Sequence, residues 1–280
     1  VMQLELKQRV VSAVILGIAV LLLAWFGGLP FRIFCAILAA LIYYEWTTMV
    51  QAERRSRPAF LVGWASMGAI MWFIVGNAFA YSTGAILIGA GAVALAARTS
   101  GRGPWMGLGV LYAGFSGLAL AALRDDTTLG LIGMAFVFAV VWATDILAYF
   151  CGRALGGRKL APKISPGKTW SGAIFGMFGG IAAGTAVALL TLDRGGIWIP
   201  ILCAVLSVAS QVGDLFESWM KRRYAVKDSG RLIPGHGGVM DRVDGLVFAA
   251  FAAFLIALVI AGGIPSSSSG SPIAWALLGG

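Results

Sequence analysis

Six acids in this sequence sit where acids are rarest. Glu45, Asp145, Asp214, Glu217, Asp241 and Asp244 lie inside or at the edges of long apolar runs. A carboxylate is expensive in such surroundings and usually serves a function there. Asp241 and Asp244 are three residues apart, as are Asp214 and Glu217, a spacing that puts each pair on one face of a helix. Many Lys and Arg lie nearby in sequence. Hard carboxylate oxygens beside basic side chains suit Mg²⁺ and polyphosphate, because the ion shares its coordination shell between carboxylates and phosphate oxygens. The plainer reading is that each acid pairs with a neighbouring Arg, since Asp241 and Asp244 flank Arg242. Three acids converging on one region favour the metal and phosphate reading.

Two basic, glycine-rich segments accompany the acids. The first, GRALGGRKLAPKISPGKTW, carries Arg153, Arg158, Lys159, Lys163 and Lys168, and its Ser165-Pro166-Gly167-Lys168-Thr169 immediately precedes an apolar run. Backbone N–H groups at a helix start, with a Lys beside them, can cradle phosphate. The G-x-x-x-x-G-K-[ST] spacing of a P-loop is absent. A basic loop that merely obeys the positive-inside rule is an equal reading of this segment taken alone. The second segment, SWMKRRYAVKDSGRLIPGHGGVMDRVDG, runs from Ser218 to Gly245 and holds Lys221, Arg222, Arg223, Lys227 and Arg231. It also holds the sole histidine of the chain, His236, between glycines that permit tight turns and close approach to a ligand.

The elements that must position these residues are membrane spans. The chain has 280 residues, 59% hydrophobic and 12% charged, against roughly 25% charged in a soluble domain. So few charges cannot cover a water-facing surface, which excludes the soluble classes. The net charge of +9 is read as cytoplasmic loops meeting anionic headgroups or substrates, with no nucleic-acid partner. A span needs about 20 mostly apolar residues. Nine candidates meet this: 10–29, 31–50, 59–78, 81–97, 105–123, 129–151, 169–191, 197–217 and 243–263. The expected fold is therefore all-α and polytopic, with about nine transmembrane helices. Lys7 and Arg9 give the first run the look of a signal peptide, but its length and the lack of an A-x-A site mark it as a retained helix.

With nine spans, alternate connections place all but three of the 21 basic residues on one side; Arg32, Arg124 and Arg194 fall on the other. The positive-inside rule then sets the N-terminus in the cytoplasm and the C-terminus outside it. All six acids map to the cytoplasmic side under an orientation fixed by basic residues alone. The chain is expected to divide into N-terminal helices (1–128), a catalytic part (129–264) and a flexible Ser-rich tail (265–280). Gly172, Gly176, Gly180 and Gly184 recur every fourth residue, as do Gly109, Ala113 and Gly117, which lets helices approach closely within the chain or across a dimer. Cys35, Cys151 and Cys203 lie in apolar stretches with no zinc or disulfide spacing.

The second basic segment resembles the phosphatidate cytidylyltransferase (CDP-diacylglycerol synthase) signature. The match runs through Ser218, Met220, Lys221-Arg222, Lys227-Asp228, Gly230, Ile233-Pro234, His236-Gly237-Gly238, Asp241-Arg242 and Asp244. Two flanking blocks are also similar: Asp145, Ala148-Tyr149 and Gly152-Arg153 leading to Ser165-Pro166 and Lys168-Thr169, and Gly213-Asp214-Leu215 with Glu217-Ser218. The resemblance covers roughly residues 140–250, and the first five spans match only as generic helices. Ser171 departs from it, because many members carry Glu at that place.

The resemblance implies a Mg²⁺-dependent enzyme that joins CTP and phosphatidic acid into CDP-diacylglycerol and pyrophosphate, working as a homodimer in a bilayer. The compact size of the chain points to a bacterial inner membrane, and the distribution of basic residues to a site facing the cytoplasm. The resemblance also allows a second cation, monovalent or divalent. Asp214 and Asp241 are then expected to hold Mg²⁺, with Asp145 or Asp244 completing the site. Lys168, Lys221, Arg222 and Lys227 are expected to bind phosphates, with Ser165, Asp228, Gly237, Gly238 and Arg242 also lining the substrate site. His236 would shape the nucleotide pocket or assist proton transfer. Two rivals are weaker. A CDP-alcohol phosphotransferase needs D-x-x-D-G-x-x-A-R; Asp241, Asp244 and Gly245 begin it, but no Ala-Arg follows. An anion transporter would place its charges at midplane and show repeats, and neither is present in the sequence.

Overall fold

The computed structural model describes residues 2–192, 196–233 and 237–262 together with Ala274, Leu277 and Leu278, with side chains from Val14 onward. Among the described residues the named α-helices are, in order, α1 (Met2–Phe26), α2 (Gly28–Met49), α3 (Ala52–Arg55), α4 (Arg57–Val75), α5 (Phe79–Ala96), α6 (Gly103–Arg124), α7 (Thr128–Leu155), α8 (Trp170–Leu192), α9 (Trp198–Arg223) and α10 (Met240–Ala261). Helices are what apolar runs of this length must form in lipid, because no water is there to satisfy exposed N–H and C=O groups. Among the described residues, eight helices are long and apolar enough to cross a membrane: α2 and α4 to α10. The ninth expected span falls on α1, whose described apolar stretch, Val14–Phe26, is shorter than a span. The chain is an all-α polytopic membrane protein.

Among the described residues, a two-stranded sheet stands in this helical frame. Strands β1 (Lys159–Ala161) and β2 (Ser165–Thr169) form an antiparallel hairpin, with Lys159 opposite Thr169 and Ala161 opposite Ser165. The expected phosphate cradle at Ser165–Thr169 is thus a strand that runs directly into α8. Thr169 ends the strand and caps the helix: its Oγ1 accepts from the Gly172 N–H at 3.1 Å. Ser171 Oγ donates to the carbonyl of Gly156. The residue at the departure from the family pattern therefore fastens the start of α8 to the end of α7.

The described residues form two compact units: those within 2–122 and 224–242, and those within 123–223 and 243–262 together with Ala274, Leu277 and Leu278. Within the first unit, α4 packs between α2 and α5. A Cβ at Gly109 would strike the indole of Trp46, and one at Gly117 would meet the Cys35 carbonyl at 2.7 Å, so the small residues of α6 lie against α2. Residues 224–242 group with these helices. Within the second unit, α7 and α8 pack along most of their length, with α9 against both. A Cβ at Gly172 would stand 2.7 Å from the Ala148 carbonyl, and one at Gly176 2.8 Å from the Thr144 carbonyl. Gly184 faces Cys203 and Val140. The four-residue glycine stripe is therefore covered within the chain. A buried hydrogen bond of 2.8 Å between Thr144 Oγ1 and Ser207 Oγ ties α7 to α9. All three cysteines are free thiols.

Candidate active site

Three of the expected acids gather within the second unit. Asp145 comes from α7, Asp214 from α9 and Asp244 from the second turn of α10. Each lies on a helix that must stop near the membrane surface, because basic segments follow α7 and α9 and precede α10. Asp145 and Asp244 each feel the charge of Asp214, and Asp244 also feels that of Asp145. Lys168, at the end of β2, acts on both Asp145 and Asp244 and forms an ion pair with Asp214. The hairpin thus delivers one ammonium to three carboxylates carried on three helices. Ser218 Oγ, one turn beyond Asp214, donates to Asp214 Oδ1 at 3.5 Å.

Close helix approach makes this grouping feasible. A Cβ at Gly213 would press on the Asp244 carbonyl and stand 2.8 Å from the Phe248 side chain, so α9 and α10 touch one residue before Asp214. Lys221, on the last turn of α9, pairs with the buried Glu217 at 2.7 Å. Arg222 Nε lies 3.4 Å from the carbonyl of Ile164 in the hairpin turn. Lys168, Lys221 and Arg222 are therefore all brought to the end of the second unit that bears the acids.

The remaining expected residues belong to the first unit. Lys227, Asp228 and Arg242 are exposed. Gly237 has φ of +84°, a backbone conformation that favours glycine, and its carbonyl accepts from the Ile233 N–H at 3.0 Å. His236 lies outside the described residues. Asp241, expected as a metal ligand, uses Oδ2 to accept from Ser229 N, Ser229 Oγ and Gly238 N, each at 2.9 Å. Glu45 performs a matching task from α2. It accepts from Val239 N at 2.7 Å, Met240 N at 2.8 Å and Ser229 Oγ at 2.9 Å. The sequence marks Glu45 only as an acid in an apolar span and gives Ser229 no role. Gly238 was expected to approach a ligand; here a Cβ on it would stand 2.6 Å from Glu45 Oε2.

The donor chemistry of the second-unit cluster fits a divalent cation. Among the described residues, no three His, Cys, Asp or Glu side chains close on one point as a self-sufficient metal cage. Mg²⁺ does not require one, since it is usually held by one or two carboxylates with waters and substrate phosphates. Three carboxylates against one ammonium retain negative charge that a divalent ion would offset.

Residues 7–260 match the sequence model of the Cytidylyltransferase family. The phosphatidate cytidylyltransferase of Brucella abortus biovar 1 (strain 9-941) is 47% identical over 258 residues, covering 92% of this chain and 95% of the relative. That of Haemophilus influenzae is 35% identical over 280 residues, covering 87% and 96%. That of Bacillus subtilis is 32% identical over 270 residues, covering 91% and 98%. The similarity extends through the N-terminal helices, well beyond the signature segment. On this breadth of match, the chain belongs to the cytidylyltransferase family.

Proposed function

We propose that this chain transfers CMP from CTP to phosphatidic acid, giving CDP-diacylglycerol and pyrophosphate. The observation that carries this reading is the cluster of Asp145, Asp214 and Asp244 around Lys168, in a chain whose relatives are named for phosphatidate cytidylyl transfer. A phosphate oxygen of phosphatidic acid bonds to the α-phosphorus of CTP. The bond from that phosphorus to the oxygen bridging to the β-phosphate breaks, and pyrophosphate leaves with the electron pair. The lipid phosphate is itself a competent nucleophile, so the protein needs to supply position and charge.

Asp214, with Asp145 and Asp244, is assigned to hold Mg²⁺. Asp241 was expected beside Asp214; with three donors on its Oδ2 it is assigned to shape the loop from Ser229 to Gly238. When bound, the ion would neutralise charge on the triphosphate and favour departure of pyrophosphate. Lys168 sits among the carboxylates, paired with Asp214, where its ammonium is placed to exchange that carboxylate for a phosphate oxygen. Lys221, steadied by Glu217, and Arg222, beside the hairpin turn, extend the positive surface. On the resemblance, Lys227 and Arg242 of the signature loop also bind phosphate. Two acyl tails can stay in the bilayer during the reaction if the reacting phosphate meets the protein at the membrane edge. The relatives are bacterial, and the inner membrane with a cytoplasm-facing site is the assigned location. A homodimer would need a face other than the α8 glycine stripe.

The test is pyrophosphate release by purified protein in detergent with CTP, phosphatidic acid and Mg²⁺, each omitted in turn. Release that needs both substrates, with cytidine recovered in the lipid product, supports the transferase. Release without phosphatidic acid, or none from folded protein, overturns it; release that persists in chelator removes the metal assignment alone.

A further inference from the structure

Glu45 lies one turn from the end of α2, 1% exposed, and nearly two hundred residues from the signature segment. Among the described residues its partners are three hydrogen-bond donors. Two of them, the N–H groups of Val239 and Met240, open α10, where orphan backbone donors and the helix dipole favour negative charge. The third is Ser229 Oγ, whose single hydrogen is shared between Glu45 and Asp241, each at 2.9 Å. Asp241 in turn accepts from the backbone of Ser229 and Gly238. Two carboxylates therefore staple both ends of the signature loop. The fit is tight, because a Cβ at Gly230 would stand 2.5 Å from Glu45 Oε1 and one at Gly238 2.6 Å from Oε2. A side chain at either glycine would press on this carboxylate, and at Gly238 it would meet Ser229 Oγ first.

We propose that Glu45 is a positioning residue for the nucleotide: it fixes Ser229 at one end of the signature loop and Val239 and Met240 at the other, and so sets where the basic residues flanking them meet the CTP phosphates. The proposal rests on the reading that this loop serves the substrates. Glu45 makes no bond to substrate and moves no proton in the reaction; it acts through the loop. A glutamine in its place keeps the shape but turns an amide N–H toward one of the backbone donors, while an aspartate keeps the charge and shortens the reach.

The experiment compares Glu45→Gln, Glu45→Asp and Ser229→Ala with the parent protein by steady-state pyrophosphate release and by hydrogen exchange over residues 229–240. In Glu45→Gln the KM for CTP should rise about tenfold, the loss expected for one charge-assisted hydrogen bond. The turnover number and the KM for phosphatidic acid should change less. Exchange should quicken across 229–240 while the other spans keep their protection, and Glu45→Asp should recover part of both effects. A CTP KM within twofold of the parent, or a fall in turnover that only tracks the folded fraction, overturns the proposal. So does a KM rise confined to phosphatidic acid. Should Glu45→Gln fail to fold, the same criteria apply to Ser229→Ala, which removes one donor and leaves the helix start intact. An inactive parent protein would sink the functional reading instead, and the exchange data would then decide the anchoring on its own.

Discussion

Lys168 and Asp214 form an ion pair that remains partly in water, with 26% and 38% of their side chains exposed. Such a pair contributes about 0–1 kcal/mol to stability, so its loss should leave the fold nearly untouched. Its value lies in the charge placed at Asp145 and Asp244. Lys168→Ala is expected to keep its unfolding midpoint in detergent within a few degrees of the parent while turnover falls about 10²–10³-fold, as when one preorganised donor is removed from a developing charge. Asp214→Asn should behave alike, and normal turnover in that variant would remove Asp214 from the site. Gly238 calls for the opposite outcome. A methyl there meets both Ser229 Oγ and the Glu45 carboxylate, and neither can retreat without losing its hydrogen bonds. Gly238→Ala should therefore open the loop, seen as faster proteolysis between Tyr224 and Met240, together with lost activity.

Helices α7 and α8 are brought together by an absence of side chains. Gly172 and Gly176 face the carbonyls of Ala148 and Thr144, and backbone cannot rotate out of the way of a new side chain. Hydrophobic burial does not drive helix pairing in lipid, so close van der Waals contact has to do so. The consequence reaches the site because α7 carries Asp145, and the hairpin that leads into α8 carries Lys168. Gly176→Leu is expected to part the helices, destabilise the protein by more than the 1–3 kcal/mol typical of overpacking, and abolish turnover even though it adds no charge and touches no acid. Detergent unfolding curves beside pyrophosphate release would check this; a stable, active Gly176→Leu would mean that the stripe is not what holds the cluster together. At the head of α8, Thr169→Ala removes the cap on Gly172 N–H, a loss of about 1 kcal/mol, and should lower activity moderately by loosening the strand that ends in Lys168.

For the molecule as a whole, the spans were legible because lipid leaves a chain little choice: among the described residues, eight of the nine apolar runs are helices long enough to cross. The acids of α7, α9 and α10 were legible for the same reason, since charge stands out against an apolar run. The hairpin was not, because Pro162, Pro166 and Gly167 read as loop and its pairing is set by where α7 ends and α8 begins. Nor was the union of Glu45 with Ser229, Val239 and Met240, which no local period encodes. Orientation is the inference that still rests on sequence alone, and α7 offers its sharpest test. This single helix of 28 residues is about 42 Å long, more than a hydrocarbon core of about 30 Å. It separates exposed Asp126 from exposed Lys163. The segment after α7 is rich in Lys and Arg, so the positive-inside rule puts Lys163 in the cytoplasm and Asp126 across the membrane. In intact cells producing Asp126→Cys or Lys163→Cys in a background lacking the three native cysteines, a membrane-impermeant maleimide should label position 126 at once and position 163 only after lysis. The reverse pattern would turn the molecule over and carry the acid cluster away from cytoplasmic CTP, so the same labelling experiment tests the proposed reaction as well as the topology.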